Sequence, residues 1–325
     1  MQINKGTSLT LLALLVAAQF AQAAESRYPS KPVRLIVPAT PGAGTDVIGR
    51  MLAQKLTEAW GMQVVVDNRP GAAGILGSAL AARAPADGHT LVMGAIGSHG
   101  AAQGLYKQLQ YDPVRDFAPI VLVARAPSGL LVNAALPAKS VKELVALAKM
   151  NPGKLQHGSG ADGTPAHLAS EMFLRMAGIQ MLRVPYKGPA QALTAISMGE
   201  VNMAIQGLLS AMPFVKGGRV RLLATTGSRR WTELPDVPTI AEAALPGFEF
   251  YLWYGVLAPA GTPHDVVVRL NTELVRIAAL PEVKDMLRVQ GGELATGPAN
   301  EFAAFLKLEV ARWNKVIAET GLRLD

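Results

Sequence analysis

The chain has 325 residues, half of them hydrophobic and 17% charged, with a formal net charge of +7 and no cysteine. The lack of cysteine excludes disulfides, thiolate metal sites, a thiol nucleophile and a lipid anchor on an N-terminal cysteine. The cations are scattered, as at Arg50, Lys55, Arg83, Lys107, Lys142 and Lys216, and aromatics make up only 6%, which argues against nucleic-acid binding, where clustered cations interleave with aromatics.

In chain order, the first element is a leader. Met1 to Ala23 carries one cation, Lys5, then an apolar stretch from Leu9 to Ala18, then Ala21-Gln22-Ala23 as a small-x-small site. This pattern is a secretory signal peptide cleaved after Ala23. Its apolar core of about ten residues is roughly half of what a bilayer span requires, so the mature chain is expected to be exported and soluble. The roughly 300 residues that remain exceed what one hydrophobic core usually serves and predict two domains.

Val33 to Val37 is a β-branched apolar run that ends in Pro38 and a glycine-rich turn, followed by apolar residues at helical spacing, Val47, Ile48, Met51, Leu52 and Leu56. The pattern predicts strand, loop and helix, the helix over 46–59. The unit recurs as strand 63–66, turn 68–74 and helix 75–83, then as strand 90–94, turn 97–100 and a helix to Tyr106. Such alternation predicts a parallel sheet with helices on both faces. Beyond Asp116 the rhythm changes to two adjacent strands, 120–124 and 130–133, on either side of Pro127. A second alternating set follows: helix 141–150, strand 155–157, helix 164–177, strand 181–184, helix 190–198, and strands 201–205 and 220–224. A long strand over 248–257 then precedes three helices near 264–279, 281–289 and 300–319. This order predicts an α/β chain whose first lobe is discontinuous, 27–125 plus 246–325, with a second lobe over 126–245. Two crossings between them make a hinge, and the strand ends of both lobes surround one cleft.

The turns carry the chemistry. Thr40-Pro41-Gly42-Ala43-Gly44-Thr45-Asp46 joins a strand to a helix with little side chain, which leaves backbone N–H groups open at a helix start, where an anion is welcome. The same reasoning applies to Pro70-Gly71-Ala72-Ala73-Gly74, to Gly97-Ser98-His99-Gly100 and to Gly158-Ser159-Gly160-Ala161-Asp162-Gly163-Thr164. A phosphate-binding P-loop is excluded because no lysine follows Gly44. Val47 stands where a dinucleotide fingerprint wants its third glycine, although Asp67 sits where the ribose-binding acid would. Neither Ser98 nor Ser159 has the glycines of a nucleophile elbow. The histidines, His89, His99, His157, His167 and His264, show no metal spacing, though His99 and His167 sit at candidate turns. Asp46, Asp87 and Asp162 read as helix caps or turn formers. Trp253 and Tyr254, in the returning strand, read as packing residues.

Ordered motifs along the whole mature chain then become informative together: Tyr-Pro-x-Lys-Pro-Val-Arg-Leu-Ile-Val-Pro (28–38), Gly-Thr-Asp (44–46), Asn-Arg-Pro-Gly-Ala-Ala-Gly (68–74), Asp-Gly-His-Thr-Leu (87–91), Asp-Phe-Ala-Pro-Ile (116–120), Pro-Gly-Lys-Leu (152–155), His167-Leu168, Val-Pro-Tyr-Lys-Gly (184–188), Leu-Pro-Asp-Val-Pro-Thr (234–239) and Ala-Pro-Ala-Gly-Thr-Pro (258–263). The chain resembles the Bug/TctC family, the periplasmic solute receptors of tripartite tricarboxylate transporters. The resemblance implies a two-lobe periplasmic binding protein of type II-like, Venus-flytrap architecture that closes on a carboxylate and presents it to membrane permease subunits. It implies a monomer with no cofactor, no metal and no catalysis. By position, the implied grip is Thr40, Gly42, Ala43, Gly44, Thr45 and Asp46, with Gly71 and Gly74 alongside. Ser98, Ser159, Gly160, Thr164 and His167 would add donors, and Tyr186 to Gly188 would line the opposite wall. Gln206 stands where the family commonly has an acid, which disfavours ligands with an ammonium group. The alternatives are an exported hydrolase acting on a small ester or amide through His99 or His167, and a ligand sensor feeding a signalling partner.

Overall fold

The computed structural model describes residues 28–289 and 291–324; the leader expected at Met1 to Ala23 lies outside the described residues. Ten strands form one continuous sheet: β1 Val33–Val37, β2 Val64–Asn68, β3 Thr90–Ala95, β4 Phe117–Asn133, β5 Gln156–Ser159, β6 Leu182–Pro185, β7 Met203–Gly207, β8 Val220–Thr225, β9 Tyr251–Pro259 and β10 Glu293–Leu294. The path runs β2-β1-β3-β9-β4-β7-β5-β6, with β8 and β10 also paired to β4.

β4 joins two half-sheets. From Phe117 to Pro127 it pairs antiparallel with β9, and from Ser128 to Asn133 it pairs antiparallel with β7 and β8. The first half-sheet holds β1 parallel to β2 and β3, and the second holds β5 parallel to β6 and β7. The two separate strands expected around Pro127 are therefore one strand of 17 residues. Pro127 falls where β4 exchanges its partner, a place at which a residue without an N–H costs little in ladder bonds.

Local chemistry sets the helix ends. Ser140 caps the Val141–Met150 helix by accepting from the Glu143 N–H. Pro165 and Pro189 occupy first turns, where a missing N–H is harmless, and Gly178 and Gly199 close the same helices in left-handed conformation. Helices Leu208–Lys216 and Ile240–Ala243 have no counterpart in the sequence-based expectation.

The core is shared on one face and divided on the other. A single cluster joins Val92, Trp253 and Leu306 of the first half to Leu130, Phe173 and Ile205 of the second, on the side covered by the Ala299–Thr320 helix. On the opposite face the halves keep separate clusters, Leu35, Ile48, Leu52, Met93 and Val256 in one, and Leu131, Leu193, Ile196 and Ala204 in the other. Each large side chain buried in these clusters contributes about 1.5–3 kcal/mol.

Candidate functional site: opposed turns between two half-sheets

β1 delivers the chain into the turn at Thr40–Gly44, and the Gly44–Trp60 helix starts there on Ala43, whose backbone is extended and which carries no side-chain cap. Asp46 is an internal strut and not the expected helix cap: 2% exposed, it accepts from the Gly42 N–H (2.8 Å), Asn68 Nδ2 (2.8 Å) and Arg50 Nε. Burial alone would raise its pKa, but the donors from Asn68, Gly42 and Arg50 outweigh that and hold it below the usual carboxylate range. Asp46 thus uses the Gly42 N–H, and the Ala43 N–H goes to the Thr40 carbonyl. The N–H groups of Gly44 and Thr45 have no bond among the described residues, as expected for the first turn of a helix.

Tyr254 lies beside this turn. A Cβ on Gly44 would fall 2.5 Å from the Tyr254 hydroxyl, so only glycine leaves the phenol its place. Burial pushes the hydroxyl pKa up to about 12, which keeps it a neutral donor. Trp253, 1% exposed and edge-on to Phe302 and Phe305, packs as expected. Tyr254 packs against the cluster of Leu35, Ile48 and Val256, with its hydroxyl at the Gly44 turn.

The second turn is strained. Ala72 and Ala73 both have positive φ, 46° and 53°, between Gly71 and Gly74, which also do; alanine rarely visits this region. The N–H groups of Ala72 and Ala73 have no bond among the described residues. Ser98 and Gly163 close in on this turn: a Cβ on Gly74 would lie 3.2 Å from the Ser98 Cβ, and one on Gly97 would lie 2.9 Å from the Ala73 carbonyl and 3.1 Å from that of Gly163. Ser98 Oγ lies 2.9 Å from His99 Nδ1, but the two residues are 1% and 0% exposed. Burial lowers the His99 pKa to about 3, so the ring is neutral and walled in by Tyr111 and Phe117.

Arg183, reaching from β6, shapes the turn after β5. It donates to Ser159 Oγ (2.9 Å) and the Gly160 carbonyl (2.9 Å) and pairs with Asp162. Ser159 Oγ donates to the Gly160 carbonyl, Thr164 Oγ1 donates to the Ala161 carbonyl, and His167 Nδ1 accepts from the Gly163 N–H at 3.1 Å. Those expected donors are therefore engaged in holding their own turn. His167 is buried, and its pKa falls to about 4, first through burial and then through the Arg183 cation. Gln206 is the penultimate residue of β7, 3% exposed, with Nε2 unpartnered. The next residue, Gly207, starts the Leu208–Lys216 helix, again without a side-chain cap. Among the described residues no group of three His, Cys, Asp or Glu is placed to hold a metal ion.

The structure thus brings Gly71–Gly74, Ser98 and Gly163 into one contact and sets Gly44 beside Tyr254. Arg183 is not marked out in the sequence, since a cation in a strand carries no local sign that it will staple a neighbouring turn.

Residues 48–322 match the family described as tripartite tricarboxylate transporter family receptor, TctC. The chain belongs to this family. A relative from Pseudomonas sp. strain P51, the UPF0065 protein in the tcbD-tcbE intergenic region, is 41% identical over 97% of this chain and 93% of its own. The solved structure of R. palustris Rpa4515 with adipate is 37% identical with a TM-score of 0.85, covering 91% of this chain and all of that one. That of the periplasmic binding protein BugD is 31% identical with a TM-score of 0.82, covering 91% of this chain and all of that one. As in these TctC-type receptors, the fold is the α/β periplasmic-binding-protein fold of two lobes.

Proposed function

We propose that the chain is a periplasmic receptor that captures a small carboxylate between its lobes and delivers it to the membrane subunits of a tripartite transporter. The observation that carries this reading is the set of open N–H groups at Gly44 and Thr45, at the positive end of a helix of 17 residues, beside the neutral Tyr254 hydroxyl. An anion there gains from the unpaired donors and from the helix dipole together. The carboxylate bound in the adipate-liganded relative of known structure supports the same class of ligand.

The lobes of this reading are 27–125 with 246–325, and 126–245. The change of partner along β4 between Pro127 and Ser128 supports that division. Closure selects the liganded population by contacts present only when the lobes meet. Export follows from the Met1 to Ala23 leader, and the receptor acts as a monomer without catalysis. The burial of Ser98 and His99 supports the absence of hydrolysis through that pair, because a nucleophile and base must reach a substrate.

The test is a thermal-shift screen of organic acids on the purified mature protein, followed by calorimetry. A ligand at a hundred times its Kd adds about 2.7 kcal/mol of stability. Failure of every carboxylate to shift the melting temperature would remove this function.

A further inference from the structure

The outer flank of the second half-sheet carries a groove of its own. β6 ends the sheet path, and by alternation Leu182, Val184 and Tyr186 point to one side of it, the side on which Val184 and Tyr186 pack against the Leu131 and Leu193 cluster. The Tyr186 ring lies over β5, where a Cβ on Gly158 would fall 3.4 Å from its Cε2. Beside it runs the Pro189–Met198 helix, and together they bound an open groove of about 360 Å³ lined by Tyr186, Ala190, Gln191, Thr194, Ala195 and Glu200. Met198 stands one helical turn from Thr194 and so next to the groove. It is 68% exposed, and Leu182 is 55% exposed.

One charge faces this groove. Glu200 has no ion pair among the described residues, and its carboxylate is close enough to Tyr186 to raise the phenol pKa, second to burial. Gln191 Oε1 accepts from the Lys187 N–H, and Thr194 Oγ1 donates to the Ala190 carbonyl. What remains open is a carboxylate beside an aromatic ring, the chemistry that receives an ammonium or guanidinium group. At a surface, a cation over a ring and an ion pair together strengthen binding by roughly tenfold, whereas even millimolar binding needs a factor of about a thousand on the molar scale. A free amine is therefore held too weakly, and the cation must arrive on a protein that also covers Met198 and Leu182. An anionic lipid surface would be repelled by Glu200, and a second copy of this chain, itself at +7, would approach against net repulsion.

We propose that this flank docks a segment of the transporter's membrane subunits in which an arginine or lysine is bordered by apolar residues, a reading that rests on the receptor function above. The cation enters between Tyr186 and Glu200, and its apolar neighbours cover Met198 and Leu182.

The test is binding of the purified mature protein to lipid nanodiscs that hold the two membrane subunits, with and without the organic acid that raises the melting temperature most. Glu200→Lys should weaken binding at least tenfold and Met198→Ser about threefold, while the melting temperature and the affinity for that acid stay unchanged. Discs of lipid alone should bind neither protein. No binding of the unaltered protein to the loaded discs, unchanged binding by Glu200→Lys, equal binding to empty discs, or a dimer in solution that Glu200→Lys dissolves would each overturn the docking proposal, and retained acid binding would then leave the receptor reading intact. Binding of no organic acid by the unaltered protein would overturn the receptor reading and this proposal with it.

Discussion

Gly163 and Ala73 touch across the two half-sheets: a Cβ added to Gly163 would lie 3.2 Å from that of Ala73. Gly163 has a φ of 72° and its carbonyl also faces Gly97, so the turn after β5 is seated among the turns after β2 and β3. The turns of the two half-sheets therefore lie against one another here.

A side chain at Gly163 should therefore act on closure. Gly163→Val would set its branched carbons against Ala73, Leu105 and Leu324. The expected outcome is ligand binding weakened at least tenfold, with about 1–2 kcal/mol lost from the unliganded protein through the left-handed backbone. Calorimetry and thermal melting separate the two effects, and unchanged affinity would count against closure at this contact.

Gly44→Ala tests the first turn. Alanine suits a helix better than glycine by about 1 kcal/mol, so stability should hold or rise slightly, while the new Cβ displaces the Tyr254 hydroxyl. Affinity should fall about tenfold, the scale of one lost hydrogen bond to a charged group. Tyr254→Phe should give a similar loss with the backbone untouched.

Arg183→Ala should loosen the turn after β5, since Ser159, Gly160 and Asp162 lose one shared partner. A loss of about 1–3 kcal/mol in stability is expected, together with weaker binding. Arg183→Lys should not rescue, because an ammonium cannot reproduce a guanidinium fork. Full recovery with lysine would show that charge alone holds the turn.

Stability should fall on acidification. His157 and His167 have pKa values lowered to about 4 and His99 to about 3, in each case chiefly by burial, from an ordinary 6.5. The unfolded chain therefore binds more protons than the folded one below pH 6.5. The stability these neutral rings maintain is complete above that pH and is lost as the pH drops toward 4. Each ring accounts for about 1.4 kcal/mol per pH unit inside its window. Chemical denaturation from pH 7.5 to 4.5 measures the slope, and His157→Gln should reduce it.

Local pattern was enough for many elements. Val33–Val37 and the helices Val141–Met150 and Pro281–Val289 stand where periodicity and turn residues predict them, because side-chain alternation and capping act within a few residues. The helix Leu208–Lys216 went unpredicted since Pro213 lies inside it and Gly217 follows, both of which read as breakers. β4 appeared divided because Pro127 carries the same local meaning, and only its change of partners lets the strand continue.

By itself the sequence determined the strand–turn–helix units, the glycine-rich character of each turn and the family those motifs belong to. Only the tertiary structure decided which donors stay open. Gly42, Ser159 and Thr164 look like Gly44 and Thr45 in the sequence, yet the former bond within their own turns and the latter do not. A hydrogen-bonding group is available to a ligand only when no nearer partner takes it, and those partners, Asp46 from the first turn of the following helix and Arg183 from a neighbouring strand, reach their positions only when the chain has folded.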